Sequence, residues 1–169
     1  MTALTASEMA TLERAADAPM LAAVEAWAAV NSGTGNLAGL KTIAGMLADA
    51  FAVLPGTVRL VEPDPVESVD AAGRVQTIVR GDHLHIRVRP DAPVQLLLTG
   101  HMDTVFPADH PFQSLTWREP GVLNGPGTAD MKGGIAVILA ALTALEASPL
   151  APRIGYDVMI NSDEETGSH

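Results

Sequence analysis

The chain has 169 residues, enough for one domain with a buried core, and 47% of them are apolar, so a disordered chain is not expected. Asp and Glu number 20 against 10 Lys and Arg, a formal net charge of −10, which argues against nucleic acid or an anionic membrane as partner because both need a basic surface. Cysteine is absent, which excludes disulfides and thiolate metal sites and leaves His, Asp and Glu to hold any metal.

Residues 7–30 read as helical, with Ser7 as a candidate cap and Leu21, Val24 and Trp27 at helical spacing. Glu8, Glu13 and Asp17 interrupt this stretch and no basic segment precedes it, so it does not read as a signal peptide and a cytoplasmic location is expected. Pro19 divides the helix or starts a new first turn. Asn31-Ser32-Gly33-Thr34-Gly35-Asn36 is a loop by composition, and Asn36 can cap a second helix with an apolar face of Leu37, Leu40, Ile43 and Leu47. Pro55-Gly56 ends that helix.

A short strand is expected at 57–61, then a loop over 61–73. Residues 75–80 and 83–89 flank Gly81-Asp82 and predict a hairpin with a two-residue turn, with His83 and His85 on its polar face. Val94 to Leu98 is a continuous apolar run, the pattern of a strand buried on both faces. Residues 132–147 predict a helix through Ile135, Ile138, Leu139, Leu142 and Leu145, and residues 154–160 a further strand. No run of 18 apolar residues occurs, so no membrane-spanning helix is expected.

The strand at 94–98, the helix at 132–147 and the strand at 154–160 form a β-α-β unit. The expected fold is therefore α/β: a mixed sheet with a parallel β-α-β core flanked by helices. The two parallel strands end on one edge, the edge where open α/β sheets bind ligands. His101 and Asp103 follow the first strand, Glu164 and Glu165 follow the second, and Asp130 precedes the connecting helix.

These residue types suit a metal site. His101 and Asp103 lie two apart and point the same way in extended chain, so Asp103 can orient the histidine. Asp130 sits among Gly125, Gly127, Gly133 and Gly134, and a carboxylate can bridge two cations. Adjacent Glu164 and Glu165 point opposite ways, so one can bind metal while the other takes a proton from water. Taken singly, each has a plainer reading: an edge histidine beside a turn aspartate, a helix cap, a solvated acidic turn. Taken together, in this order and on these elements, they are a strong signal.

Gly100-His101-Met102-Asp103-Thr104-Val105, Gly125-Pro126-Gly127-Thr128-Ala129-Asp130-Met131-Lys132-Gly133-Gly134 and Asp163-Glu164-Glu165-Thr166-Gly167-Ser168 give the chain a family likeness. It resembles the co-catalytic zinc peptidase and deacylase family that includes carboxypeptidase G, acetylornithine deacetylase, succinyl-diaminopimelate desuccinylase and aminoacylase. Asn31-Ser32-Gly33-Thr34 resembles that family's N-terminal loop. The resemblance implies a metallopeptidase or amidohydrolase with two zinc ions, for which cobalt or manganese can substitute. His101 would bind one zinc, Asp130 would bridge both and Glu165 would bind the other. Glu164 would be the general base, Asp103 would orient His101, and the Asp130–Met131 peptide would be cis.

Residues 1–169 would then be the N-terminal portion of the catalytic domain. Family members are longer, with an inserted lid and dimerisation domain and a return to the catalytic domain. One further acid and one late histidine complete their zinc ligands, and the lid donates another histidine. The parent enzyme is expected to cleave an amide of an N-acyl amino acid, or a small molecule or peptide bearing a free carboxylate, and to form a homodimer. The wording around Asp130 resembles the carboxypeptidase G branch. The alternatives are an acetylornithine or succinyl-diaminopimelate deacylase and, from another class, a truncated non-catalytic remnant.

Gly33-Thr34-Gly35-Asn36-Leu37-Ala38 follows a helix rather than a strand and is not read as a dinucleotide loop. Gly127 to Lys132 lacks the Gly-Lys-Ser/Thr ending of a phosphate loop. His110 reads as loop surface, and the resemblance assigns no ligand to His169.

Overall fold

A computed structural model of the chain describes residues 3–168, so His169 lies outside the described residues. It opens with α1 (Ala6–Ala16), α2 (Met20–Ala28) and α3 (Leu37–Phe51). The cap of α1 is Thr5, not Ser7. The Glu8 N–H donates to the Thr5 hydroxyl at 3.3 Å and the Thr5 N–H donates to the Glu8 carboxylate at 2.7 Å, a reciprocal capping box. Pro19 stands at the N-cap of α2 and separates it from α1. The Asn36 side chain accepts the Gly39 N–H at 3.1 Å and starts α3, whose Leu40, Ile43, Leu47 and Phe51 are fully buried.

The strands are β1 (Thr57–Val61), β2 (Val66–Val69), β3 (Val75–Ile78), β4 (His83–Val88), β5 (Val94–His101), β6 (Thr116–Glu119) and β7 (Val122–Asn124). Helix α4 (Gly134–Glu146) and strand β8 (Ile154–Asn161) follow. The main sheet runs β1-β4-β8-β5, antiparallel except for the parallel pair β5–β8, so the fold is α/β with a mixed sheet. Opposed residues Leu84–Ile160, Ile86–Val158 and Val88–Tyr156 point to one face and pack under α3 and α4. That face is the core.

Three expectations fail on tertiary grounds. The hairpin across Gly81-Asp82 does not form: β3 pairs with β2, and β4 pairs with β1 and β8. Alternation in β4 puts Leu84, Ile86 and Val88 into the core, and only the central sheet offers them cover. Strand β3 has no comparable face to bury, and it forms a two-stranded ribbon outside the sheet. Second, residues 61–73 are not all loop, because β2 lies within them. Its turn is held by Asp70, which accepts the Ala72 and Arg74 N–H groups. Third, β5 is a strand but is not buried on both faces. It is the sheet's edge, pairs with β8 alone among the described residues, and leaves Leu97 64% exposed. The α4 crossover covers only one face. The ribbon β6–β7, which no sequence pattern announced, is also largely exposed.

Thr128–Glu146 is long and apolar enough to cross a membrane by length and composition. In this fold it is the crossover between β5 and β8, and Ile135, Ala136, Ala140, Leu142 and Ala144 of α4 are buried.

Candidate metal centre

Parallel pairing sets His101, the last residue of β5, beside Asn161, the last of β8. Both strands therefore release their following residues at one edge. After β5, Met102, Asp103 and Thr104 stay buried. After β8, Ser162 and Asp163 are buried, and a short turn then lifts Glu164–Thr166 toward solvent. Asp130 enters from the irregular turn Thr128–Gly133, which leaves helical dihedrals at Asp130 and Met131 and contains a cis Asp130–Met131 peptide. Gly127 starts that turn at φ +71°, where a Cβ would also meet the Thr104 methyl at 2.9 Å.

His101, Asp130 and Glu165 each offer a ligand atom, and the three atoms lie within 4.8 Å of one another. His101 Nε2 is 2.9 Å from Asp130 Oδ1 and 3.9 Å from Glu164 Oε2. Its Nδ1 faces the Asp103 carbonyl oxygen at 3.2 Å and the Asp103 carboxylate at 3.3 Å. Both partners of Nδ1 are acceptors, so Nδ1 carries a proton, and Nε2 faces carboxylates that demand a cation opposite them. In the metal-free ring a second proton fills that place. The bond to Asp103 chiefly, with Asp130 adding to it, raises the His101 pKa to about 9 against the opposing effect of burial. A divalent cation can take the same place, and the nitrogen-and-oxygen donor set suits zinc. The His101 side chain is 6% exposed and that of Asp130 78%, so the cluster is rooted on one side and open on the other.

Asp103 is the hub beneath this cluster. Its side chain is fully buried. Oδ1 accepts the Glu164 N–H at 3.2 Å, and Oδ2 accepts the Glu165 N–H at 3.1 Å and the Thr34 hydroxyl at 2.7 Å. Burial works against its ionisation, yet the bonds from His101, Thr34 and Glu165 together hold its carboxyl below the usual range. Glu165 moves the other way. Burial raises its pKa, as do the neighbouring charges of Asp130, Asp103 and Glu164, with His101 opposing.

The structure thus gathers His101, Asp103, Asp130, Glu164 and Glu165, the five residues singled out by spacing and resemblance. His83, His85 and His110 stand apart from the cluster. His85 pairs with Asp157 at 2.7 Å, His83 Nδ1 accepts the Ser162 N–H at 3.1 Å, and His110 accepts the Phe112 N–H. Sequence reasoning missed the weight of Asn31–Thr34. The Ser32 hydroxyl donates to the Met102 carbonyl at 2.7 Å, the Thr104 N–H donates to Ser32 and the Thr34 N–H donates to Thr104. Asn31 donates to the Phe106 carbonyl, and a Cβ on Gly33 would collide with that same backbone. Four polar or small residues in a row between two helices were the available signal. Lys132 was also passed over as part of a rejected phosphate loop. It is buried, its ammonium donates to the Val30 carbonyl at 3.1 Å, and burial pushes its pKa down to about 8.

Residues 97–169 match the family model described as peptidase family M20/M25/M40. Succinyl-diaminopimelate desuccinylase 2 of Shewanella loihica is 37% identical over 83 residues, 44% of this chain and 21% of that protein. Carboxypeptidase G2 of a Pseudomonas species is 38% identical over 95 residues, 54% of this chain and 22% of that protein. Among solved structures, human carnosine dipeptidase 1 superposes with a TM-score of 0.72 at 21% identity, covering 99% of this chain and 36% of that one. The metallo-carboxypeptidase Sso-CP2 of Sulfolobus solfataricus gives a TM-score of 0.66 at 17% identity, over 89% of this chain and 32% of that one. At such identities the structural likeness speaks for the fold. The chain spans about a fifth of the curated relatives' length and about a third of the structural ones'. Residues 97–169, the part of the chain similar to peptidase family M20/M25/M40, carry all three motif segments.

Proposed function

We propose that residues 1–169 are the N-terminal portion of the catalytic domain of a zinc-dependent hydrolase. It cleaves the amide of an N-acyl amino acid or of a peptide with a free carboxylate. The observation that carries this reading is the convergence of His101, Asp130 and Glu165 at the carboxyl edge of β5 and β8, with Glu164 beside them. His101, Asp130 and Glu165 are the residues that would hold the zinc, with Asp130 shared between the sites if two ions bind. When bound, zinc supplies Lewis acidity toward a carbonyl and lowers the pKa of water. The Glu164 carboxylate is 52% exposed, close to the cluster but outside its three ligands, and takes the proton of the attacking water. Asp103 holds the His101 ring with Nδ1 protonated and Nε2 turned to the metal. Ligands and a lid histidine from further chain complete the site.

The carboxypeptidase G branch and the desuccinylase branch have nearly equal support, 38% and 37% identity. A succinyl-diaminopimelate-type deacylase is therefore the second reading. A cytoplasmic location, a small-molecule or peptide substrate and a homodimer of the full-length protein complete the proposal, and the net charge of −10 supports the absence of a nucleic-acid partner. The test is zinc titration of the full-length protein, followed by hydrolysis of a panel of N-acyl-glutamates, dipeptides, N-acetylornithine and N-succinyl-diaminopimelate. Zinc-dependent cleavage of one class supports the reading and names the branch. Absence of both zinc binding and hydrolysis sinks it and leaves a non-catalytic remnant.

A further inference from the structure

We propose that Thr34 is a positioning residue of the metal centre, acting through Asp103 on both the histidine ligand and the turn that carries Glu164 and Glu165. This rests on the metallohydrolase reading above. Thr34 lies in the loop between α2 and α3, 69 residues before Asp103. It is nearly buried, and its hydroxyl donates to Asp103 Oδ2 at 2.7 Å, the shortest of the carboxylate's contacts with its neighbours.

A carboxylate can rotate about its own bond to Cβ. Three of the groups around Asp103 belong to the site it serves: the His101 ring and the Glu164 and Glu165 N–H groups. They cannot act as a fixed reference for it, since it is meant to fix them. Thr34 comes from outside the site. It is anchored independently by its own N–H to the Thr104 carbonyl at 3.3 Å, and Ser32 binds the same segment at Met102. With Oδ2 held by the Thr34 hydroxyl, Oδ1 is turned toward His101 Nδ1 and the Glu164 N–H. Loss of that hydroxyl frees the carboxylate to turn, and the ring and the glutamate turn lose a common reference together. Outer groups that orient metal ligands characteristically matter by about 10–100-fold in metal affinity or activity.

The test uses the full-length protein. Zinc affinity is read by competition with a chelator, and site geometry by the visible spectrum of the cobalt-substituted protein. Steady-state kinetics are measured on the best substrate. Thr34→Val keeps the volume and removes the hydroxyl, whereas Thr34→Ser keeps the hydroxyl. The expected result is a loss of about 10–100-fold in zinc affinity and an altered cobalt spectrum for Thr34→Val. Thr34→Ser should restore most of both, and the Val variant should lose kcat more than KM. Ser32→Ala is the control, because Ser32 holds the same loop without touching Asp103, and its loss should be much smaller. If Thr34→Val fails to fold, Thr34→Ala against Thr34→Ser makes the same comparison. Unchanged affinity and spectrum in the hydroxyl-free variant overturn the proposal. So does an equal loss in Ser32→Ala, or no rescue by Ser. A wild-type protein that binds no zinc overturns the metallohydrolase reading, and this proposal with it.

Discussion

Strands β5 and β8 are neighbours, parallel and similar in composition, yet they are buried in opposite senses. The body of β8 is inside: Tyr156, Val158 and Ile160 are fully buried. The segment after it rises into solvent at Glu164. The body of β5 is outside, with Val94, Leu96 and Leu97 exposed, whereas its last residue His101 and the segment after it, Met102, Asp103 and Thr104, are buried. The difference is one of position. β8 lies between β4 and β5, with helices over one face, whereas β5 is the edge. Apolar residues stay exposed where no element covers them. Polar residues are buried where partners wait for them, as Thr34, Glu164 and Glu165 wait for Asp103.

The largest expected effect is at the emergent end of β8. Glu164→Gln in the full-length enzyme should cut kcat by about 10²–10⁴-fold while leaving zinc content, measured by atomic absorption, nearly unchanged. Equal loss of both would mean that the roles of Glu164 and Glu165 are exchanged. Next come the bodies of the strands. Ile160→Ala should cost about 2–5 kcal/mol in urea unfolding. Leu97→Lys in the 169-residue chain should cost less than about 0.5 kcal/mol, as at an ordinary surface site. A Leu97 loss comparable to that of Ile160 would erase the contrast and mean that β5 is covered.

The smallest effect concerns the start of β8. Tyr156 is the one tyrosine of the chain, so phenolate absorbance reports it alone. Burial, with its hydroxyl bonded to Glu146 at 2.9 Å, raises its pKa. Arg89, which pairs with Glu146, pulls weakly the other way. The folded pKa lies above the unfolded value, so this group's contribution to stability is complete below pH ~10 and is lost as pH rises beyond it. Spectrophotometric titration should show the phenolate appearing only above pH ~10 in the folded chain, and near pH ~10 in urea. Coincident titrations would place Tyr156 outside the buried body of β8.

Much of this arrangement was legible beforehand. The β5-α4-β8 unit was readable because apolar spacing changes period between strand and helix, and its handedness and shared edge follow from chain chirality. The five site residues were readable because they sit at element ends in a recognisable order. The β3–β4 hairpin was misread because Gly81-Asp82 satisfies a local turn rule, while the pairing is decided by which strand has an inner face to bury. Asn31–Thr34 read as a loop because local composition carries no trace of a partner 69 residues away, such as Asp103 for Thr34.

The sequence by itself determined the helices and strands β1, β3, β4, β5 and β8, the absence of thiolate chemistry and the identities of the converging acids and histidine. These depend on side-chain type and on periodicities of a few residues. Tertiary structure alone decided that β5 is an edge, that β3 and β4 part company and that a threonine far upstream grips the aspartate beneath the site. Each of these is a contact between distant segments, and its energy comes from excluding water between surfaces that meet only once the chain has folded.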